Sequence, residues 1–270
     1  MAIGERAAIH LATSQDGTRI AYETWGQSGA LIAVGGMTCD RALMRSTAQA
    51  FGEYLATINY DRRGRGDSGD TTPYAVDREI EDIAALIGEV GGSAHLYGHS
   101  SGAALVLRAV AAGLPVERFV LHDPPYSPDE SAQDAARAFA LEIRDLLDQD
   151  KRAEAIEMTF RGTGMPDDMI KEMRESSRWP ALIALAPTLA YDSAVMGDID
   201  RGGAIPEDLA ARATQPGLVL VGSESPPFMM DVGRRLANLL PAGDHRVIDG
   251  QDHGAAPDVL APIVAGFLRA

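Results

Sequence analysis

The run Gly98-His99-Ser100-Ser101-Gly102 is where chemistry first becomes legible in this chain. It follows the apolar stretch 94–97 and leads directly into Ala103-Ala104-Leu105-Val106-Leu107, which has helical spacing. A serine on so sharp a strand-to-helix turn needs small residues two positions away on either side, because a side chain there would collide with the tight backbone path. Gly98 and Gly102 supply that room. The turn also aims the Ser101 amide and the positive end of the next helix at a carbonyl meeting the serine, which stabilises a developing oxyanion. A chance glycine-serine loop could spell the same letters, but it would not sit between a strand and a helix. The chemistry on offer is nucleophilic attack by Ser100, and it requires an imidazole to take the serine proton near neutral pH and return it to the leaving group.

Other patterns carry less. Gly64, Gly66 and Gly69 spell GxGxxG, but Pro73 intervenes and no helix opens at the third glycine, so a dinucleotide site is not expected. Neither GxxxxGK[ST] nor HExxH occurs. His95 and His99 are four apart on a strand-like run, where that spacing does not make a helical ligand pair. Arg62, Arg63 and Arg65 read as a local salt-bridge cluster, and the single cysteine, Cys39, as a packed residue that can form neither an internal disulfide nor a zinc site.

The elements that must position Ser100 follow from periodicity. Asp16-Gly17 between the alternating runs 8–12 and 19–23 predicts an opening hairpin. Short apolar runs at 31–34, 55–60, 94–97, 119–121 and 218–221 alternate with helical spacing at 42–51, 77–89, 102–112, 229–239 and 257–268, the last with Pro257 in its first turn. This is an α/β chain with a mostly parallel sheet and helices on both faces. The long stretch between 121 and 218 reads as helix after helix, an insertion. Ser127 is placed to cap its first helix, with Pro128 at the first helical position and Glu130 completing a capping box, which predicts a helix over 127–150. Further helices are expected at 151–160, 166–177 and 180–191, with Gly162, Gly164, Gly197, Gly202 and Gly203 as joints. The division is a core of 1–124 and 215–270 and an inserted segment of 125–214.

Composition bounds the partners. With 24 Lys and Arg against 39 Asp and Glu, the net charge of -15 repels phosphate backbones and anionic headgroups, so neither nucleic acid nor a membrane is expected. No segment reaches the ~18 uninterrupted apolar residues of a membrane span. Residues 1–16 include Glu5 and Arg6 and lack the apolar run of a signal peptide, so the expected compartment is the cytoplasm.

On the serine motif and three further landmarks, the chain resembles the α/β-hydrolase superfamily along nearly its whole length. Gly35-Gly36-Met37 follows the strand-like run 31–34, Tyr60 to Ser68 carries the arginines after the next strand, and Gly250-Gln251-Asp252-His253-Gly254 precedes the last helix. The resemblance implies an α/β-hydrolase fold with a helical cap, Ser100 as nucleophile, His253 as base, and the amides of Met37 and Ser101 as the oxyanion hole. Gly35 stands where relatives usually carry His, which removes a side chain but not an amide. His253 is preferred to His10, His95, His99, His122 and His245 because its loop satisfies the family order of serine, acid, histidine. The family's usual acid slot falls on Ser225, which cannot hold a charge. Asp123, after the preceding strand, is preferred to Glu224 as the acid, and a Ser–His dyad is the remaining arrangement. A turn-capping role for Asp123 before Pro124 and Pro125 is the structural alternative.

The expected pocket is lined by Gly36, His99, Met158, Trp179, Tyr191, Phe228 and Met229, with adaptable methionines suited to an apolar or aromatic ligand. The implied function is a serine hydrolase for a small carboxylic ester, lactone or thioester, working as a monomer or homodimer on a small molecule without cofactor or metal. Two alternatives share the scaffold: C–C cleavage, perhydrolase or lyase chemistry on the same residues, and a ligand receptor or pseudoenzyme.

Overall fold

The structure is a computed structural model and describes residues 7–270. Glu5 and Arg6, on which the N-terminal expectation rested, lie outside the described residues. The described strands form one sheet: β1 (His10–Thr13), β2 (Arg19–Trp25), β3 (Leu31–Val34), β4 (Thr57–Tyr60), β5 (Ala94–His99), β6 (Val116–His122), β7 (Gly217–Gly222) and β8 (Gly243–Ile248), in the order β1-β2-β4-β3-β5-β6-β7-β8. The β1–β2 and β2–β4 pairings are antiparallel and all others parallel. β8 is the strand that apolar runs do not reveal, because it is an edge strand and its Gly-Asp-His-Arg-Val-Ile sequence keeps only Ile248 buried.

Strand side chains alternate between two apolar layers. Ile32, Val34, Leu96, Phe119, Leu121 and Val219 pack with α2 (Val76–Glu89), α3 (Ser101–Ala111) and α11 (Pro227–Leu239). Leu31, Ala33, Tyr97, Val120, Leu218 and Leu220 pack with α1 (Arg41–Gly52) and α12 (Pro257–Leu268). Because both faces are covered, the central parallel strands are apolar throughout, which is why they stood out as uninterrupted runs.

Between β6 and β7 lie α4 (Glu130–Asp148), α5 (Arg152–Gly162), α6 (Asp167–Glu175), α7 (Trp179–Leu185), a 3-10 turn (Ala186–Thr188), α8 (Leu189–Met196), α9 (Asp198–Arg201) and α10 (Glu207–Arg212). Ile143, Ala155, Ile156, Phe160, Ile170, Leu182, Ala186 and Leu189 form a separate apolar cluster, whereas Val195 and Met196 of α8, Ala210 of α10 and Ala213 pack into the sheet's own core.

Two local expectations need correction. The N-cap of α4 is Asp129, whose Oδ1 accepts from Ala132 N at 2.9 Å, so the helix starts at Glu130. Ser127 is engaged elsewhere: it bridges to Ala204, and its hydroxyl donates to the Gly202 carbonyl at 2.7 Å. The helix expected over 180–191 is divided, because Pro187 has no N–H to donate and the chain tightens into the 3-10 turn before α8.

Candidate active site

Ser100 joins β5 to α3 with φ 56 and ψ -128, a conformation L-residues rarely adopt. Its own amide donates to the His122 carbonyl at 2.9 Å, and its carbonyl accepts from Ala103 N at 2.9 Å. A Cβ on Gly98 would overlap the Gly102 carbonyl, and one on Gly102 would overlap that of Val34 and lie 2.8 Å from that of Gly35. The two glycines are therefore required by the packing of strand, turn and helix. Ser101 is the first residue of α3, so its N–H has no intrahelical acceptor.

The loop after β3 closes over the serine. A Cβ on Gly36 would lie 2.8 Å from Ser100 Cβ and 3.5 Å from its Oγ. Residues 36–39 form a turn in which Cys39 N donates to the Gly36 carbonyl at 3.2 Å and Thr38 takes φ 56, the left-handed third position usually given to glycine. The Met37 side chain packs against the apolar cluster of the inserted helices.

Asp123 follows β6 with φ 48 and is fully buried. Its Oδ2 lies 3.0 Å from His253 Nδ1 and accepts from Ser225 Oγ at 2.6 Å, while Oδ1 accepts from Gly222 N at 3.2 Å. Burial disfavours its charge, but the bond to His253, the neighbouring His122 and the Ser225 hydroxyl outweigh that, holding the carboxyl below the usual range. Ser225, in the slot where the family usually carries its acid, thus supports the carboxylate offered from the neighbouring strand. Glu224 is exposed, and only its backbone N–H is engaged, donating to the Gln251 carbonyl at 2.8 Å. Of the two acid candidates, the fold brings Asp123 to His253.

Two further histidines back this arrangement. Burial, then the neighbouring His122 and His253, push His99 down to about 3, so it is neutral and its Nε2–H donates to the His253 carbonyl at 2.7 Å. His122 is buried and pushed down to about 4, chiefly by burial, with Nδ1 2.7 Å from the Tyr97 hydroxyl.

A sequence model described as the alpha/beta hydrolase family matches residues 25–263. The chain belongs to the alpha/beta hydrolase family. A solved alpha/beta hydrolase from Sphaerobacter thermophilus is 39% identical, with a TM-score of 0.85 over 96% of this chain and 99% of that one. N-formylmaleamate deformylase of Pseudomonas putida is 41% identical over 119 residues, 42% of this chain and 44% of the deformylase, so the match spans less than half the length of that curated relative. A thermophilic esterase from Thermogutta terrifontis, at 24% identity and a TM-score of 0.70 over 97% of this chain and 98% of that one, shares the fold.

In this alpha/beta hydrolase the three arginines after β4 are buried. Arg62 pairs with Glu79 through Nε and Nη2 at 2.6 and 2.7 Å, and Arg63 pairs with Asp82 at 2.8 and 2.7 Å. Arg62 and Arg65 both reach Asp192 of α8, at 2.7 Å each, and Asp192 also accepts from Ser101 Oγ at 2.8 Å. The arginines were legible as a cluster, but their shared acid was not. The available signal was a lone carboxylate in the mostly apolar run Leu189 to Met196, where Asp192 is the one charged residue. Cys39 is packed as expected, and burial pushes its thiol up.

The expected pocket residues divide. Gly36 and His99 adjoin Ser100, and Met158 and Trp179 pack on the same apolar cluster as Met37. Phe228, exposed, and Met229, buried, open α11 just after Ser225. Tyr191 departs from the expectation: its ring stacks on Tyr74 with centroids 3.8 Å apart, and its hydroxyl donates to Asp70 at 2.7 Å. Both its face and its polar end are engaged by the segment between β4 and α2, because α8 packs that side of the insertion against the core.

Proposed function

We propose that this alpha/beta hydrolase is a serine hydrolase that cleaves a small apolar or aromatic carboxylic ester, lactone or thioester. Ser100 Oγ attacks the acyl carbonyl while His253 Nε2 takes its proton. Asp123, bound to Nδ1, fixes the tautomer and stabilises the imidazolium. The amides of Met37 and Ser101 receive the oxyanion. Collapse expels the alcohol or thiol, which carries the proton from His253, and water then repeats the sequence on the acyl-enzyme to release the acid. The observation that carries this function is the 3.0 Å contact between His253 Nδ1 and the buried Asp123 beside a strained Ser100. The inserted helices serve as a cap, and their methionines with Trp179 supply an apolar acyl pocket. A cytoplasmic monomer or homodimer acting on a small molecule without cofactor accords with the acidic composition and single cysteine.

The similarity to N-formylmaleamate deformylase supports a second substrate class, an N-formyl amide. Its cleavage is also acyl transfer and needs the same groups, with the amide nitrogen taking the proton from His253 as it leaves as a neutral carboxamide. Intact mass after treatment with a fluorophosphonate tests the nucleophile without knowledge of the substrate. A single adduct mapped to Ser100, absent in Ser100→Ala, is expected. An unmodified, folded protein would refute the serine mechanism.

A further inference from the structure

Asp192 is fully buried in α8, yet its carboxylate touches the groups that flank the serine. Oδ1 accepts from Ser101 Oγ at 2.8 Å and from Arg62 Nη1 at 2.7 Å, and Oδ2 accepts from Arg65 Nη2 at 2.7 Å. Each guanidinium continues into the loop after β3. Arg65 Nη1 donates to the Gly36 carbonyl at 2.6 Å and to that of Cys39 at 3.2 Å, and Arg62 Nη1 to that of Gly35 at 3.3 Å.

The Gly36 carbonyl and the Met37 N–H belong to one planar trans peptide, in which the two bonds point in opposite directions. A cation fixed on the oxygen therefore sets the direction of the N–H and polarises it. On the other side, the Ser101 hydroxyl ties the first turn of α3 to Asp192, and the second amide belongs to that same residue. The cluster balances its charge, with Arg62 and Arg65 facing Glu79 and Asp192, so it orients both amides without placing a net charge beside them. Burial opposes ionisation of Asp192, but Arg65 and Arg62 prevail and keep it below the usual carboxylate range.

We propose that Asp192 is a positioning residue for the oxyanion hole, acting from the inserted helices through Ser101 and Arg65 to fix the peptide groups that carry the Ser101 and Met37 amides. The proposal rests on the serine-hydrolase function above. It makes the docking of α8 a condition for a complete hole, although Asp192 touches no reacting atom.

The test uses the full chain acylated at Ser100 by an activated ester with a 13C-labelled acyl carbonyl, read by infrared difference spectroscopy, alongside kcat and KM. Hydrogen bonds in the hole lower the carbonyl stretch, so loosened amides raise it. In Arg65→Lys, where one ammonium replaces a fork that serves three partners, and in Asp192→Asn, the band is expected to move to higher wavenumber. With it, kcat should fall about a hundredfold while KM changes little. Ser101→Ala keeps both ion pairs and removes a single hydrogen bond, so it remains informative if the buried-charge variants fail to fold. Its band should move the same way by a smaller amount. Lowered melting temperatures with unmoved bands and unchanged kcat would mean that the cluster only stabilises the fold, and the proposal would fall. If the unaltered protein forms no acyl adduct at Ser100, the serine mechanism fails first and takes the proposal with it.

Discussion

Ser225 shows how far a single residue can be misjudged when it is considered alone. A hydroxyl cannot replace a carboxylate, but Ser225 donates to Asp123 at 2.6 Å and so helps keep that carboxylate ionised. Removing the donor in Ser225→Ala should lower kcat/KM about tenfold, the loss of one charge-assisted hydrogen bond. Asp123→Asn should lower it by about 10⁴, because His253 then loses the partner that fixes its tautomer, whereas Glu224→Gln should leave it unchanged. Combining Asp123→Asn with Ser225→Asp should recover at least part of that loss, since position 225 already contacts the same carboxylate site. Steady-state kinetics of the four variants on one ester decide the assignment, and equal losses at Asp123 and Glu224 would contradict it. The strand-to-helix turn at Ser100 was legible in its flanking glycines, and the loop of His253 in the order of landmarks that the resemblance supplied. Asp192 was not, because Arg65 lies 127 residues away from it in the chain.

At the scale of elements, apolar periodicity located the central strands and the helices that cover them, and it failed where tertiary contacts compete with local signals. The start of α4 is an example. Ser127, Pro128 and Glu130 compose a good capping sequence, but the Ser127 hydroxyl is held by Gly202, and Asp129 caps instead. Asp129→Ala should therefore destabilise the protein by about 1 kcal/mol in urea unfolding through loss of the cap. A second test lies at the turn before α3. Gly102→Ala would drive a methyl group into the carbonyls of Val34 and Gly35, separating α3 from the loop that carries Met37. The variant should lose about 1–3 kcal/mol of stability and most of its activity, measured by thermal melting and turnover. β8 went unread because an edge strand has one neighbour and little to bury, so its composition resembles a loop.

For the whole molecule, the layered α/β architecture was legible because both apolar layers repeat along the chain, while the seating of the inserted helices was not, since it depends on pairs such as Tyr74 with Tyr191 and Asp192 with the arginines. Acid sensitivity belongs to this scale. His122 is held neutral, with its value lowered from 6.5 to about 4 mainly by burial, although Asp123 pulls it upward. Above pH 6.5 it is neutral in both folded and unfolded chains and contributes nothing. Between 6.5 and about 4 the unfolded chain binds the proton that the folded one refuses, so stability falls with pH by about 1.4 kcal/mol per unit. His99, with its value lowered to about 3, adds to the same trend. Urea unfolding at pH 7 and pH 5 should differ by about 2 kcal/mol from His122 alone, and a His122→Asn variant should lose that share of the slope.

The chain contains two tryptophans, and the fold separates them. Trp25 ends β2 with its indole N–H on Glu23, while Trp179 opens α7 in the apolar cluster shared with Met37. Replacing Trp25 with Phe would leave one native fluorophore, seated in the inserted helices on the apolar cluster that the Met37 side chain also packs against. Its emission would then give an optical record, in real time and without a label, of how these helices respond as a ligand arrives and departs.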